Sequence, residues 1–90
     1  ESLAAAMGVK IDADARVELW RRHLPAATYL ARDVDLEDVA ERWEFSGGNI
    51  RNAAIRAAFL AAEDNSAITN LHLRQASTVE SEELGRVVKR

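Results

Sequence analysis

The chain has 90 residues, enough for one small domain, and its composition of 48% hydrophobic and 30% charged residues is typical of a globular protein. Its net charge of −3 disfavours nucleic-acid binding as the main role, because phosphate contacts need a basic surface. The absence of cysteine excludes disulfides and thiol catalysis. No apolar run approaches the ~20 residues that cross a bilayer, and no secretion signal is recognisable, so we expect a cytoplasmic protein without membrane contact.

The first two helices are predicted from apolar spacing and capping residues. Helix one is expected over about 13–23, with Asp12 or Asp14 as its cap, and Pro25 ends it because the residue before a proline avoids the helical region. A connector then leads to a short second helix over about 36–43, which Asp35 can cap. The apolar face of this second helix consists of Leu36, Val39, Ala40 and Trp43.

A third helix is predicted over about 48–63, with Ser46 as its cap. It is rich in alanine and apolar around most of its circumference, which is typical of a central helix packed on several sides. Asn65 follows the helix and can take the left-handed conformation that often ends one.

A fourth helix is expected to begin after Thr69 as its cap, where Ile68 and Leu73 have the spacing of a hydrophobic staple. Its predicted end lies between Gln75, the minimum extent, and Glu83, the maximum, and Gly85 is predicted to prevent the helix from continuing. We interpret residues 1–10 as a linker or an extra helical turn and residues 85–90 as a loose tail. Helices with short connectors over 11–84 predict an all-α fold, a small four-helix bundle.

The segment Ser46-Gly47-Gly48-Asn49-Ile50-Arg51-Asn52 breaks two local rules of helix formation. Each glycine costs up to ~1 kcal/mol relative to alanine in a helix, and an arginine near the amino end opposes the helix dipole. Glycines also let a ligand approach the backbone, first-turn amides favour an anion, and arginine binds phosphate through two parallel hydrogen bonds. The segment is therefore a candidate nucleotide clamp. On spacing alone, an awkward loop followed by a solvated arginine is the commoner explanation.

The run Gly48-Asn49-Ile50-Arg51 resembles the sensor-2 motif of AAA+ ATPases, which reads Gly-Asn-Val-Arg at the start of a lid helix in bacterial replication initiators and enhancer-binding regulators. The rest of the chain is similar to the same lid over about residues 11–84. The similar segments, in chain order, are Arg16, Leu19 and Trp20 with Leu24-Pro25; Asp35-Leu36-Glu37 with Val39-Ala40; and Ile68-Thr69 with His72-Leu73.

This resemblance implies a helical lid that closes over ATP bound by a separate P-loop domain and relays the nucleotide state to its neighbours in a ring, usually a hexamer. Arg51 would be the sensor-2 arginine that reaches the γ-phosphate. Gly47, Gly48 and Ile50 would lie near the adenine and ribose. The chain itself contains neither a G-x-x-x-x-G-K-[ST] loop nor a strand ending in paired acids for magnesium, so we expect it to be inactive as an ATPase without the P-loop domain of its parent protein.

Two other functions stay open from the residues alone. One is a helix-turn-helix DNA-binding domain, with helix three or four as the recognition helix. The other is an independent bundle for protein interaction. A metal site is not expected, because His23 and His72 have no third ligand at metal-binding spacing.

Overall fold

Four α-helices make up most of the part of the chain that the computed structural model describes, which is residues 11–88, with side chains through residue 85. They are α1 (Ala13–His23), α2 (Leu36–Arg42), α3 (Gly47–Glu63) and α4 (Asn70–Val88), and a short 3₁₀ turn (Ala27–Tyr29) follows α1. Within the described residues the only β-type pairing is an isolated bridge between Leu30 and Ile68. The prediction of a small all-α four-helix bundle is therefore confirmed.

A side-chain cap begins each of the four helices. The carboxylates of Asp12 and Asp35 accept the backbone N–H three residues further on, at 2.8 and 3.2 Å, and the hydroxyls of Ser46 and Thr69 do the same at 3.3 and 3.2 Å. Such a cap satisfies an amide that has no acceptor inside the helix and stabilises the fold by about 1 kcal/mol. These short polar side chains, which the sequence predicted as caps, determine where the four helices begin.

The core lies around α3, which packs against α1 on one side and α4 on the other. Every residue of α3 that faces inward is an alanine except Ile50, and these small side chains let the neighbouring helices approach closely. Larger side chains from the other helices fill the remaining space. The fully buried ones are Trp20, Val39 and Leu73. Trp43 is half-buried and stacks on Phe45, with ring centroids 6.3 Å apart.

Two arginine networks hold α2 in its position. The buried guanidinium of Arg16 donates from Nε to the carbonyl oxygen of Ala40 at 2.7 Å and from Nη1 to that of Ile11. On the other side of α2, the carboxylate of Asp38 accepts from Arg42 at 2.8 Å and from Arg74 of α4 at 3.0 Å. These contacts, that of Arg42 first, lower the pKa of Asp38 from its ordinary 3.8 to about 2.

His72 completes the cap of α4 in a way that the sequence did not predict. Its Nδ1 accepts the Thr69 backbone N–H at 3.0 Å, and its Nε2 lies 2.7 Å from Oδ2 of Asp64. Because Nδ1 is an acceptor, the proton of the neutral ring sits on Nε2 and is donated to Asp64. Asn65, one residue after Asp64, has φ of 56°, which confirms the predicted left-handed turn.

The fourth helix is longer than expected. It continues through Gly85 to Val88, so the prediction that Gly85 stops it is wrong, and residues 85–88 of the expected loose tail are helical. A single glycine costs only about 1 kcal/mol in a helix, and Leu84 packs against the core just before it. Residues 1–10, predicted as a linker or helical turn, lie outside the described residues, as do residues 89 and 90. In residues 11–88 no helix combines the length and the apolar character that crossing a membrane requires.

A candidate anion site at the start of helix α3

The amino end of α3 is held by a reciprocal cap between Ser46 and Asn49. The Ser46 hydroxyl accepts the Asn49 backbone N–H, and the Asn49 side-chain oxygen accepts the Ser46 N–H at 3.0 Å and its hydroxyl at 2.8 Å. This is a capping box with asparagine in the position that glutamate or glutamine usually takes. Asn49 therefore has a structural role in the candidate motif.

A buried carboxylate on α4 fixes the same turn from the other side. Glu80 is only 7% exposed, and one of its oxygens accepts the amide of Asn49 at 3.0 Å and that of Asn52 at 3.3 Å. These two asparagines flank Arg51 in sequence, so Glu80 ties the turn that carries the arginine to α4. Glu80 was not among the site residues predicted from the sequence. Its signal was an acid at helical spacing from the buried positions Leu73 and Ala76.

The glycine pair is not required by the bundle. A Cβ atom added to Gly47 would lie 3.9 Å from Cδ1 of Leu19, and one added to Gly48 would lie 3.9 Å from Oγ of Ser46. Both are ordinary van der Waals distances, and neither glycine has a positive φ. Alanine would fit at either position and would favour the helix. The reason for two glycines therefore lies outside the internal packing of the described residues.

Arg51 projects into solvent from the start of the second turn of α3. Within residues 11–88 it forms no hydrogen bond or ion pair, although Arg16, Arg42 and Arg74 all do. It leaves the helix about 100° from the neighbouring Asn52, and so on a different side from Glu80. The fold leaves this guanidinium available to a ligand or to another domain.

Of the predicted site residues, Ile50 is the one whose side chain faces inward: it is 0% exposed and packs in the core between the helices, so any nucleotide near it would meet the backbone of this turn and not the Ile50 side chain. It shares the inward face of α3 with Ala53, Ala54 and Ala57. The remaining candidates, Gly47, Gly48 and Arg51, reach the surface at the start of the helix.

The outward face of α3 carries the polar side chains Arg51 and Asn52 near its start and then the apolar residues Ile55, Ala58 and Phe59. The apolar stretch differs from a DNA recognition helix, which presents polar side chains to base edges. The two histidines lie in different environments: His23 is exposed in the last turn of α1, and His72 is buried in the cap of α4.

In the comparisons with known proteins, no protein-family model matches the chain, and no curated protein matches it significantly. The chemistry available at the start of α3 is one exposed guanidinium next to first-turn amides that no side chain at Gly47 or Gly48 screens. A guanidinium and backbone amides together form the common donor set for a phosphate or another oxyanion.

Proposed function

We propose that this chain is the helical lid domain of an AAA+ ATPase, and that it closes over ATP held by a P-loop domain of the same parent protein. One observation carries the proposal: two glycines that the bundle does not need open α3 just before Arg51, an exposed arginine without a partner in residues 11–88. A site that binds a phosphate held by another domain needs a helix start without side chains and a cation that is not paired within its own domain. The resemblance of the other segments to such a lid, in the same order along the chain, supports it.

In the proposed mechanism the domain acts through Arg51. Its guanidinium can form two parallel hydrogen bonds with the γ-phosphate, where negative charge must be stabilised during phosphoryl transfer. ATP supplies the phosphoanhydride bond that is hydrolysed, and the P-loop domain of the parent would hold Mg²⁺. The amides of Gly47 and Gly48 can contribute further donors to an anionic group at the helix start.

The rigid attachment of the first turn of α3 gives Arg51 a defined position. Ser46 and Asn49 cap the turn, and Glu80 ties it to α4, so Arg51 moves with the bundle as one body. A rotation of the whole lid would then bring the guanidinium to the phosphate or withdraw it, as closing domains do in other enzymes. In the parent protein such a rotation would relay the nucleotide state to the next subunit of a ring, which we propose to be a cytoplasmic homohexamer.

Replacing Arg51 by alanine in the full-length ATPase tests the proposal. A charge-assisted hydrogen bond contributes about 1.5–3 kcal/mol, and ~1.4 kcal/mol corresponds to a factor of ten in rate. We therefore expect ATP turnover to fall at least tenfold while the circular dichroism spectrum stays the same. Arg22→Ala is the matched control, because Arg22 is an exposed arginine on α1. Equal turnover in the two variants would remove Arg51 from the mechanism.

A second variant tests the glycines separately. Gly48→Leu adds a side chain at an exposed position where the bundle has room for a Cβ, so the melting temperature should change little. The same side chain would obstruct a nucleotide at the helix start, and we expect the KM for ATP to rise. An unchanged KM in Gly48→Leu would mean that no ligand approaches this backbone.

A further inference from the structure

An exposed apolar stripe runs along the outer side of α3, roughly opposite the side that packs in the core. It consists of Ile55, Ala58, Phe59 and Ala62, which have the i, i+3, i+4, i+7 spacing of residues that share one side of a helix. All four are exposed, Ile55 to 46% and Phe59 to 68%. Single exposed apolar residues are normal on any protein, but four along one helix form a second apolar face, which is typical of a helix that packs against a partner.

Two opposite charges flank this stripe on the same side and have no partner within the described chain. Arg56 follows Ile55 and Glu63 follows Ala62, so each projects about 100° round the helix from a residue of the stripe, in the same direction. In residues 11–88 neither side chain forms a hydrogen bond or an ion pair, and Nε of Arg56 is buried without an acceptor. This side of the stripe is therefore positive near its amino end and negative at its carboxyl end.

We infer that a second copy of this chain packs its own α3 against the stripe in the antiparallel direction. With Ile55 of one copy level with Ala62 of the other, a large side chain meets a small one, and the two Phe59 rings meet beside the two-fold axis. Arg56 then lies within about 3 Å, measured along the helix, of Glu63 in the other copy, because their levels differ by two residues at 1.5 Å each. The two-fold axis forms this ion pair twice, whereas a parallel pairing would place like charges at the same level.

The stripe is short, since residues 55–62 span only about 11 Å along the helix. Contacts that bury less than ~1,000 Å² are usually weak, so we expect a reversible dimer that forms at high protein concentration. A two-fold contact is closed and cannot link neighbours around one ring, so this surface is separate from the ring contacts of the proposed function. It needs neither Arg51 nor a nucleotide, and the two proposals can fail independently.

Sedimentation equilibrium of the 90-residue chain tests the surface. The average mass should rise from that of one chain towards that of two as the concentration increases, and Phe59→Ser should raise the dissociation constant at least tenfold. Leu71→Ser is the matched control and should stay within twofold, because Leu71 is similarly exposed (61%) and lies outside the stripe. The mass of a single chain at every concentration, or equal effects of the two variants, would overturn the inference.

Charge reversal tests the direction of the pairing. Arg56→Glu and Glu63→Arg should each weaken self-association at least fivefold, because each variant places like charges opposite one another at both symmetric positions. Mixing the two variants should restore association to within twofold of the original chain, because every ion pair in the mixed dimer again joins opposite charges. Circular dichroism checks that each variant keeps its helices. A mixture that associates no more tightly than either variant alone would overturn the inference.

Discussion

Removal of the Glu80 carboxylate should destabilise the whole bundle, although Glu80 lies on the last long helix and far along the chain from α3. In Glu80→Ala, the amides of Asn49 and Asn52 lose their common acceptor. Asn49 is also part of the cap of α3, so the loss reaches the first turn of that helix.

The expected magnitude follows from the two hydrogen bonds. A hydrogen bond to a charged group contributes about 1.5–3 kcal/mol when both partners are buried. Asn49 is only half-buried and Asn52 is exposed, so water can replace part of the loss. We therefore expect a decrease of about 2 kcal/mol in the free energy of unfolding, and a shift of about 4–8 °C per kcal/mol gives a melting temperature lower by roughly 8–16 °C.

Thermal unfolding followed by circular dichroism measures this effect, with Glu82→Ala as the control. Glu82 is an exposed acid on the same helix, and its replacement should change stability by less than about 0.5 kcal/mol. A double-mutant cycle with Asn49→Ala should give a coupling energy of about 1 kcal/mol, since the two residues are in contact. Equal melting temperatures for Glu80→Ala and Glu82→Ala, or additive effects in the cycle, would refute the reasoning.

Three further predictions concern stability and pH. Gly85→Ala should raise the free energy of unfolding by about 0.5–1 kcal/mol in a urea titration, because Gly85 is helical and has open space for a Cβ; a decrease would contradict a helix through this residue. His72→Ala should lower the free energy of unfolding by about 2 kcal/mol at pH 7, because His72 is buried and bonds both Thr69 and Asp64. Asp64→Ala should lower it less, and equal decreases in the two variants would count against the role of His72 in the cap. The lowered pKa of Asp38 stabilises the fold fully above about pH 4, and this contribution disappears as the pH falls through about 2. Since Arg42 and Arg74 are half-exposed, we expect the ion pairs of Asp38 to contribute about 1 kcal/mol to the free energy of unfolding. Asp38→Asn lacks this contribution at every pH, so its melting temperature should fall less between pH 5 and pH 2 than that of the original chain. Identical decreases in the two proteins would contradict the pairing.

The sequence predicted the helices well where the determining interactions are local. Asp12, Asp35, Ser46 and Thr69 cap the helix starts because a short polar side chain can reach the backbone amide three residues away without help from the rest of the fold. The left-handed turn at Asn65 is local in the same sense. The end of α4 was mispredicted, because the propensity of a single glycine is a weak local cost that continued helix formation and packing overcome.

The candidate site likewise has one part that local sequence reveals and one part that depends on the tertiary structure. The unusual Gly47-Gly48 pair and the arginine after it are visible in the sequence, because they violate local helix preferences. Tertiary structure alone decides that Ile50 turns inward, that a Cβ would fit at both glycines, and that Arg51 has no partner within the described chain. The role of Glu80 also depends on α4 lying beside α3. Contacts between residues about 30 positions apart depend on how the helices pack together, and no spacing within one helix encodes them.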